Sequence, residues 1–504
     1  MTFETLRALH AVIGEAIDEI ERVYKAHSQE GVALQFPSLD APYYTTVKNS
    51  ATVEKAEELR ADPTVFGAAN RIVAACGQIT ATVHKPFFQL VEGGQGGTLV
   101  ASLQFLESTH IVEILREAGP EGLGVRDIAA KVAELRRAAN PDAAGVDPSN
   151  IGHLLRLLAT YHWLREVKPD VFANNRLSSF LDSGKSTEQI KASPTSKYDG
   201  TDGIAAYTAT CADETTKIQG ALADWLLTGG DAPGGSQNGY PTAFNFAFKT
   251  QGNFYDWLEG PGNETRLARF GHAMKGTSYW ELAENIIHGF PWDELPREAV
   301  VADVGGGIGS VSVILADAYP HLRFAVQDRA PVVALAQQSR GDKHADLFSS
   351  GRVSFHAQDF LEPQTPFDVP NVGTVTQPDV FLLRAVAHNW PDEYAVRILK
   401  HFRAAAGPHT RLLIVDNLLP YACVDEDSGA DVRSLAPEGS PLLPNLGHAS
   451  LNGYILDMTM MAMFTAKERT YREMDALTQS AGWKISRVKR AVGSLWAYIT
   501  VVPV

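Results

Sequence analysis

The chain has 504 residues, 45% of them hydrophobic and 20% charged, a globular composition too long for one ordinary core and suited to two or three domains. Its 44 Lys and Arg against 59 Asp and Glu leave a net charge of −15, which opposes a nucleic-acid partner because a phosphate backbone requires concentrated positive charge. Three cysteines, Cys76, Cys211 and Cys423, without metal-ligand spacing, point away from a disulfide framework or a structural zinc; with acids scattered through residues 1–21 and no long uncharged apolar run, they predict a soluble, cytoplasmic chain without a membrane partner.

Residues 1–98 alternate helical patterns with a proline-rich loop and end in Gly93-Gly94-Gln95-Gly96-Gly97, a flexible joint, so this stretch is expected to be a helical N-terminal extension. From Ala101 apolar residues recur at helical spacing through Leu103, Leu106, Ile111 and Leu115, a second helix starts near Val125, and a third runs from Ile151 to Tyr161 behind the cap Asp147-Pro148-Ser149. Two short extended segments, 164–167 and 171–173, flank a turn at Lys168-Pro169-Asp170. Three helices and a hairpin predict a winged helix within a domain spanning 99–240. With only Arg156, Arg165 and Lys168 as full positive charges on and beside the third helix, the expectation is a packing and dimerisation module over residues 101–180 rather than a DNA reader. A glycine-rich loop is expected at 229–239.

The third domain, 241–504, opens with a helical bridge and then alternates strands and helices, with strands expected at 299–304, 323–327, 353–356, 379–384 and 411–415 and a closing pair near 484–502. That rhythm predicts an α/β fold with a doubly wound parallel sheet whose ligands sit at the carboxyl ends of its strands. Residues 421–451, rich in Pro, Gly, Asp and Ser, break it as an insertion, either a lid or a disordered surface loop.

Directly after the apolar run 299–302 comes Asp303-Val304-Gly305-Gly306-Gly307-Ile308-Gly309-Ser310: strand, glycine turn, helix start. Glycines serve there because a Cβ would collide with a close ligand and because the turn needs dihedrals other residues avoid. The acid two residues before Gly305 and the serine after Gly309 depart from the dinucleotide fingerprint and match the loop that wraps the methionine end of S-adenosylmethionine (SAM). Asp328, at the end of the next strand, stands where an acid binds ribose hydroxyls.

Three titratable residues fall at or after strand ends: His388 in Ala387-His388-Asn389-Trp390-Pro391-Asp392-Glu393, Asp416 closing Leu412-Leu413-Ile414-Val415, and Glu468 in Lys467-Glu468-Arg469-Thr470, ahead of a helix opened by the capping box Thr470-Tyr471-Arg472-Glu473. Singly, each has an ordinary structural use. Beside a SAM-type loop they form a set suited to methyl transfer onto a hydroxyl, which needs a base for the proton and a carboxylate to orient that base.

These phrases, with 113–123 and Leu154-Leu155-Arg156-Leu157-Leu158-Ala159, resemble the caffeate and flavonoid type of plant and fungal SAM-dependent small-molecule O-methyltransferases over residues 100–504. The resemblance implies a winged-helix dimerisation domain joined to a SAM-binding domain, a homodimer, His388 as general base, and Asp416 and Glu468 as its acids. It also implies SAM contacts from Asp303, Gly305, Gly307, Asp328, Asp359, Phe360 and Arg384, the last standing where a lysine is common. Phe270, Met274, Trp280, Met460 and Phe464, with Asn389, are candidates to contact a small aromatic substrate, aromatic and thioether side chains being suited to a flat apolar ring. No metal is called for, and no cluster of ligands for one is visible.

Two departures stand out: Asn389 replaces the usual aspartate after the histidine, and Asp416 replaces the usual, longer glutamate. The expected reaction is methylation of a phenolic hydroxyl with S-adenosylhomocysteine as co-product; the alternative is a pericyclase or dehydratase of the same fold that keeps SAM as an electrostatic element.

Overall fold

Short strands, most of them rich in apolar residues, make the sheet. In a computed structural model, which describes residues 2–28, 32–228, 241–282, 284–338, 344–426 and 430–504, seven of them line up as β1 (Val300–Val304), β2 (Arg323–Asp328), β3 (Val353–Ala357), β4 (Val380–Arg384), β5 (Arg411–Asp416), β6 (Trp483–Arg490) and β7 (Ala497–Pro503). Their order across the sheet is β6-β7-β5-β4-β1-β2-β3. The pairings β2–β3, β1–β2, β1–β4 and β4–β5 are parallel, whereas β7 runs antiparallel to both β5 and β6. The closing pair therefore makes this a mixed sheet and not an all-parallel one.

Continuous apolar strands fit burial on both faces. Alternate residues feed opposite cores: Ala302, Phe381 and Leu412 pack on one face, Val301, Leu382 and Leu413 on the other. Because β1 lies between β4 and β2, the chain direction of sheet building reverses beside β1, and that switch point is where an open α/β sheet leaves a crevice at its carboxyl edge.

The chain divides into two compact units, residues 10–72 with 79–279, and residues 280–504 with 2–9 and 73–78. In the first, helices Gly97–Ser108, Ile111–Ala118, Val125–Ala139 and Pro148–Thr160 precede the antiparallel strands Arg165–Lys168 and Val171–Ala173, with Leu123–Gly124 added as a third strand. Asp147 caps the helix Pro148–Thr160 by accepting from Ser149 N at 2.7 Å, and Asp170 takes a left-handed φ of 63° in the turn. The helices bury their apolar faces in their own core around Leu106, Ile114, Ile128, Leu155 and Phe172. The glycine-rich stretch expected as a loop at 229–239 lies outside the described residues. Within 421–451 the chain forms the short helix Ala430–Arg433 and a turn of 3-10 helix at Gly447–Ser450. No helix among the described residues is long and apolar enough to cross a membrane.

Candidate active site

Each strand of the switch point ends in one of the expected groups. After β1 the chain turns through Gly305, Gly307 and Gly309, with φ of 70°, 59° and 82°, conformations that disfavour any residue with a Cβ. Gly305 N donates to Gln327 O at 2.8 Å, and Gly307 N donates to Asp328 Oδ2 at 2.9 Å, tying the loop to the end of β2. A Cβ on Gly305 would meet Val386, one on Gly306 the Asp303 carboxylate, and one on Gly309 Phe355 and Val326. At Gly307 it would meet nothing within 4 Å among the described residues, so this glycine turns its bare side to open space.

Asp303 works from inside the loop. It is 2% exposed and accepts from Ser312 Oγ at 2.6 Å, and burial pushes its carboxyl up to about 6. Asp359 is exposed and accepts from Leu361 N at 2.9 Å, and Phe360 stands edge-on to Trp390 at 5.7 Å, beside the position of Gly305. Arg384, at the end of β4, donates from Nη2 to Glu281 Oε2 at 2.9 Å; Glu281 is also held by the Tyr498 hydroxyl.

Past β4, Ala385 takes a left-handed φ of 52° while its N–H still donates to Val415 O at 2.9 Å, and the chain turns out of the sheet into the segment that carries His388. A positive φ at alanine costs roughly 1–2 kcal/mol. Asn389 Nδ2 donates to the Ala385 carbonyl at 3.0 Å, closing this turn, a bond an aspartate could not make. The amide of Asn389, expected on a substrate, is thus engaged with backbone.

His388 Nδ1 meets Glu468 Oε1 at 2.6 Å, the His388 side chain being 9% exposed and that of Glu468 0%. Glu468 is itself placed by Asp457 Oδ1, which accepts from its backbone N at 2.9 Å. Its neighbour Arg469, 1% exposed, donates from Nη1 to Ala387 O and from Nη2 to Trp390 O, both at 2.9 Å, and so pins the backbone on either side of the histidine. Asp416 is 1% exposed, and neither of its oxygens has a hydrogen-bond partner among the described residues.

The electrostatics follow from three ionisable groups sharing one dry corner. Burial alone would lower the histidine, yet the Glu468 carboxylate, its hydrogen bond and Asp416 outweigh burial and raise His388 above its ordinary 6.5. Burial raises Asp416, His388 opposes and Glu468 assists, and the result is about 7. Near neutral pH this acid is thus partly protonated, which limits the carboxylate charge beside the His388–Glu468 pair.

Known proteins carry this chain's pattern from end to end. A family profile described as an O-methyltransferase domain matches residues 221–436. An O-methyltransferase of Armillaria gallica is 35% identical over 508 residues, 99% of each chain. The chain belongs to the O-methyltransferase family. It is an S-adenosyl-L-methionine-dependent O-methyltransferase. Among its relatives, the 4-O-methyltransferase 1 of Phanerochaete chrysosporium is 34% identical over 96% of each chain. A solved structure described as a pericyclic reaction enzyme superposes with a TM-score of 0.63 at 18% identity, covering 90% of this O-methyltransferase and 99% of that chain; the likeness is one of fold.

The O-methyltransferase brings His388, Glu468 and Asp416 together as the strand ends predict. The residues expected against substrate are distributed: Phe270, edge-on to Phe254 at 5.5 Å, and Met274, 42% exposed, belong to the first unit, whereas Trp280, the buried Met460, Phe464 and Asn389 belong to the second. Glu281, Asp457, Arg469 and Trp496 join the site without being among the expected residues. Arg469 alone had a signal, its place directly after Glu468 in the phrase Lys467-Glu468-Arg469-Thr470.

Proposed function

We propose that this enzyme methylates a phenolic hydroxyl of a small aromatic molecule, with His388 as the base that takes the hydroxyl proton. The observation that carries the reading is the buried 2.6 Å contact between His388 Nδ1 and Glu468 Oε1 at the carboxyl edge of the sheet. With Nδ1 committed to the carboxylate, Nε2 is the nitrogen left for the substrate proton. A phenol near 10 facing a histidine near 6.5 leaves proton transfer uphill by about 5 kcal/mol, and raising the imidazole narrows that gap. Arg469 and Asn389 act by holding the backbone that carries the imidazole. SAM supplies the methyl group and a sulfonium charge that favours the phenolate. The backbone of Gly305 and Gly307, with Asp328, would hold it, a reading supported by the open side of Gly307. That the 34% identical relative is a 4-O-methyltransferase supports a hydroxyl acceptor.

The reading fixes the sign of the pH response. The base works only when neutral, so activity should fall as pH drops through the His388 pKa, and that value lies above 6.5. The Glu468→Gln enzyme should show this acid limb moved to lower pH together with a lower plateau, because the neutral amide no longer stabilises the imidazolium. Stability runs the other way: a histidine raised by its partner contributes most below its unfolded value and loses that contribution as pH rises through the folded one. A pH–rate profile unchanged in Glu468→Gln would remove the pairing from the mechanism.

We infer, further, that the enzyme is a homodimer and that the second copy covers helix Pro86–Gly94. None of that helix is buried: Phe87 is 64% and Leu90 75% exposed, and Lys85 and Glu92 bracket its apolar residues. Two copies related by a two-fold axis and packed antiparallel would bury the aromatic residues and set Lys85 of each near Glu92 of the other. Sedimentation at micromolar concentration should give a dimer for wild type and a monomer for Phe87→Glu/Leu90→Glu. A monomeric wild type, or a double variant that still dimerises, contradicts this surface.

A further inference from the structure

Just before β7, the indole of Trp496 is 6% exposed and wedged between two groups of the site. Its ring stands edge-on to the His388 imidazole, centroids 5.6 Å apart at 82°, and the Arg384 guanidinium carbon lies 5.9 Å from its centroid. Its backbone N–H is used, donating to Ser494 Oγ at 2.9 Å. Its indole N–H is not: Nε1 is buried with no hydrogen-bond partner among the described residues. Trp292 and Trp483, fully buried in the same unit, donate from Nε1 to Ile286 O and Leu399 O, each at 2.9 Å. Burying a donor without an acceptor is costly, so such a group persists where something else completes it.

Resting on the reading of His388 and Arg384 as parts of one ligand-binding edge, we propose that Trp496 is a further binding residue, whose Nε1–H donates to an anionic oxygen of a bound ligand. The Arg384 cation beside the ring draws electron density from the indole and favours a negatively charged acceptor over a neutral one. Two sources carry that chemistry: the carboxylate of SAM, shared by S-adenosylhomocysteine, and the oxygen of the aromatic acceptor as it loses its proton.

Trp496→Phe keeps a ring between Arg384 and His388 and removes only the donor. Titration calorimetry of this variant, checked for an unchanged melting temperature, separates the sources. SAM and S-adenosylhomocysteine binding weaker by about ten- to a hundredfold, the range for losing a hydrogen bond to a charged group, assigns the carboxylate. Unchanged SAM binding with kcat reduced about ten- to a hundredfold, and the acid limb of its pH profile displaced, assigns the acceptor oxygen. If both affinities and kcat match wild type, the proposal is overturned and solvent satisfies the indole. Should the variant not fold, the wild type with 15N-labelled tryptophan decides: one of its eight indole resonances should move downfield on adding S-adenosylhomocysteine or substrate, and eight unmoved resonances overturn the proposal. The turnover of His388→Ala tests the reading of His388 separately, so the two can fail independently.

Discussion

The His388→Ala enzyme is expected to bind SAM as wild type does and to turn over about 10²–10⁴-fold more slowly, the usual contribution of a positioned base. The expectation rests on burial and pairing: a histidine whose Nδ1 is 2.6 Å from a fully buried carboxylate is fixed in orientation and raised in basicity, and removing it leaves Glu468 and Asp416 as unpaired acids. Calorimetry with SAM and single-turnover rates on the same preparation separate loss of the base from loss of the fold. A His388→Ala enzyme as fast as wild type would leave proton removal to another residue or to solvent.

Gly307→Arg is expected to abolish SAM binding, weakening it by at least a hundredfold, with the sheet intact. The strain of placing a side chain at φ 59° costs about 1–2 kcal/mol, and the described residues offer no obstacle to the new Cβ, so the loss of affinity would report what occupies that open side. Gly306→Ala makes the contrast. Its Cβ would stand 2.7 Å from the Asp303 carboxylate carbon, so it should lower the melting temperature as well as SAM affinity. SAM binding by Gly307→Arg equal to wild type would remove the glycine loop as the binding element.

What could be read from the sequence was what depends on short-range pattern. The central strands β1, β2, β4 and β5 are built on apolar residues because both sheet faces are covered, and the ends of β1 to β5 fell within one or two residues of the expected positions. His388 and Asp416 were legible because a parallel α/β sheet collects the residues after its strands at one edge, and Glu468 because its capping-box helix is written in the sequence. The antiparallel insertion of β7 between β5 and β6 was not, since strand direction is a property of the connection rather than of the strand. Nor was Trp496, whose meaning lies in two neighbours, Arg384 and His388, more than a hundred residues earlier. The helices between 101 and 160 bury apolar residues in a core of their own, and Pro86–Gly94 just before them has no buried residue.

The central claim, methyl transfer from SAM to a hydroxyl, is tested most directly by product mass. Purified enzyme, SAM and a panel of phenolic acceptors should yield a product one methyl group heavier than its substrate, with S-adenosylhomocysteine formed in equal amount. An isomeric or dehydrated product formed while SAM stays intact would contradict methyl transfer.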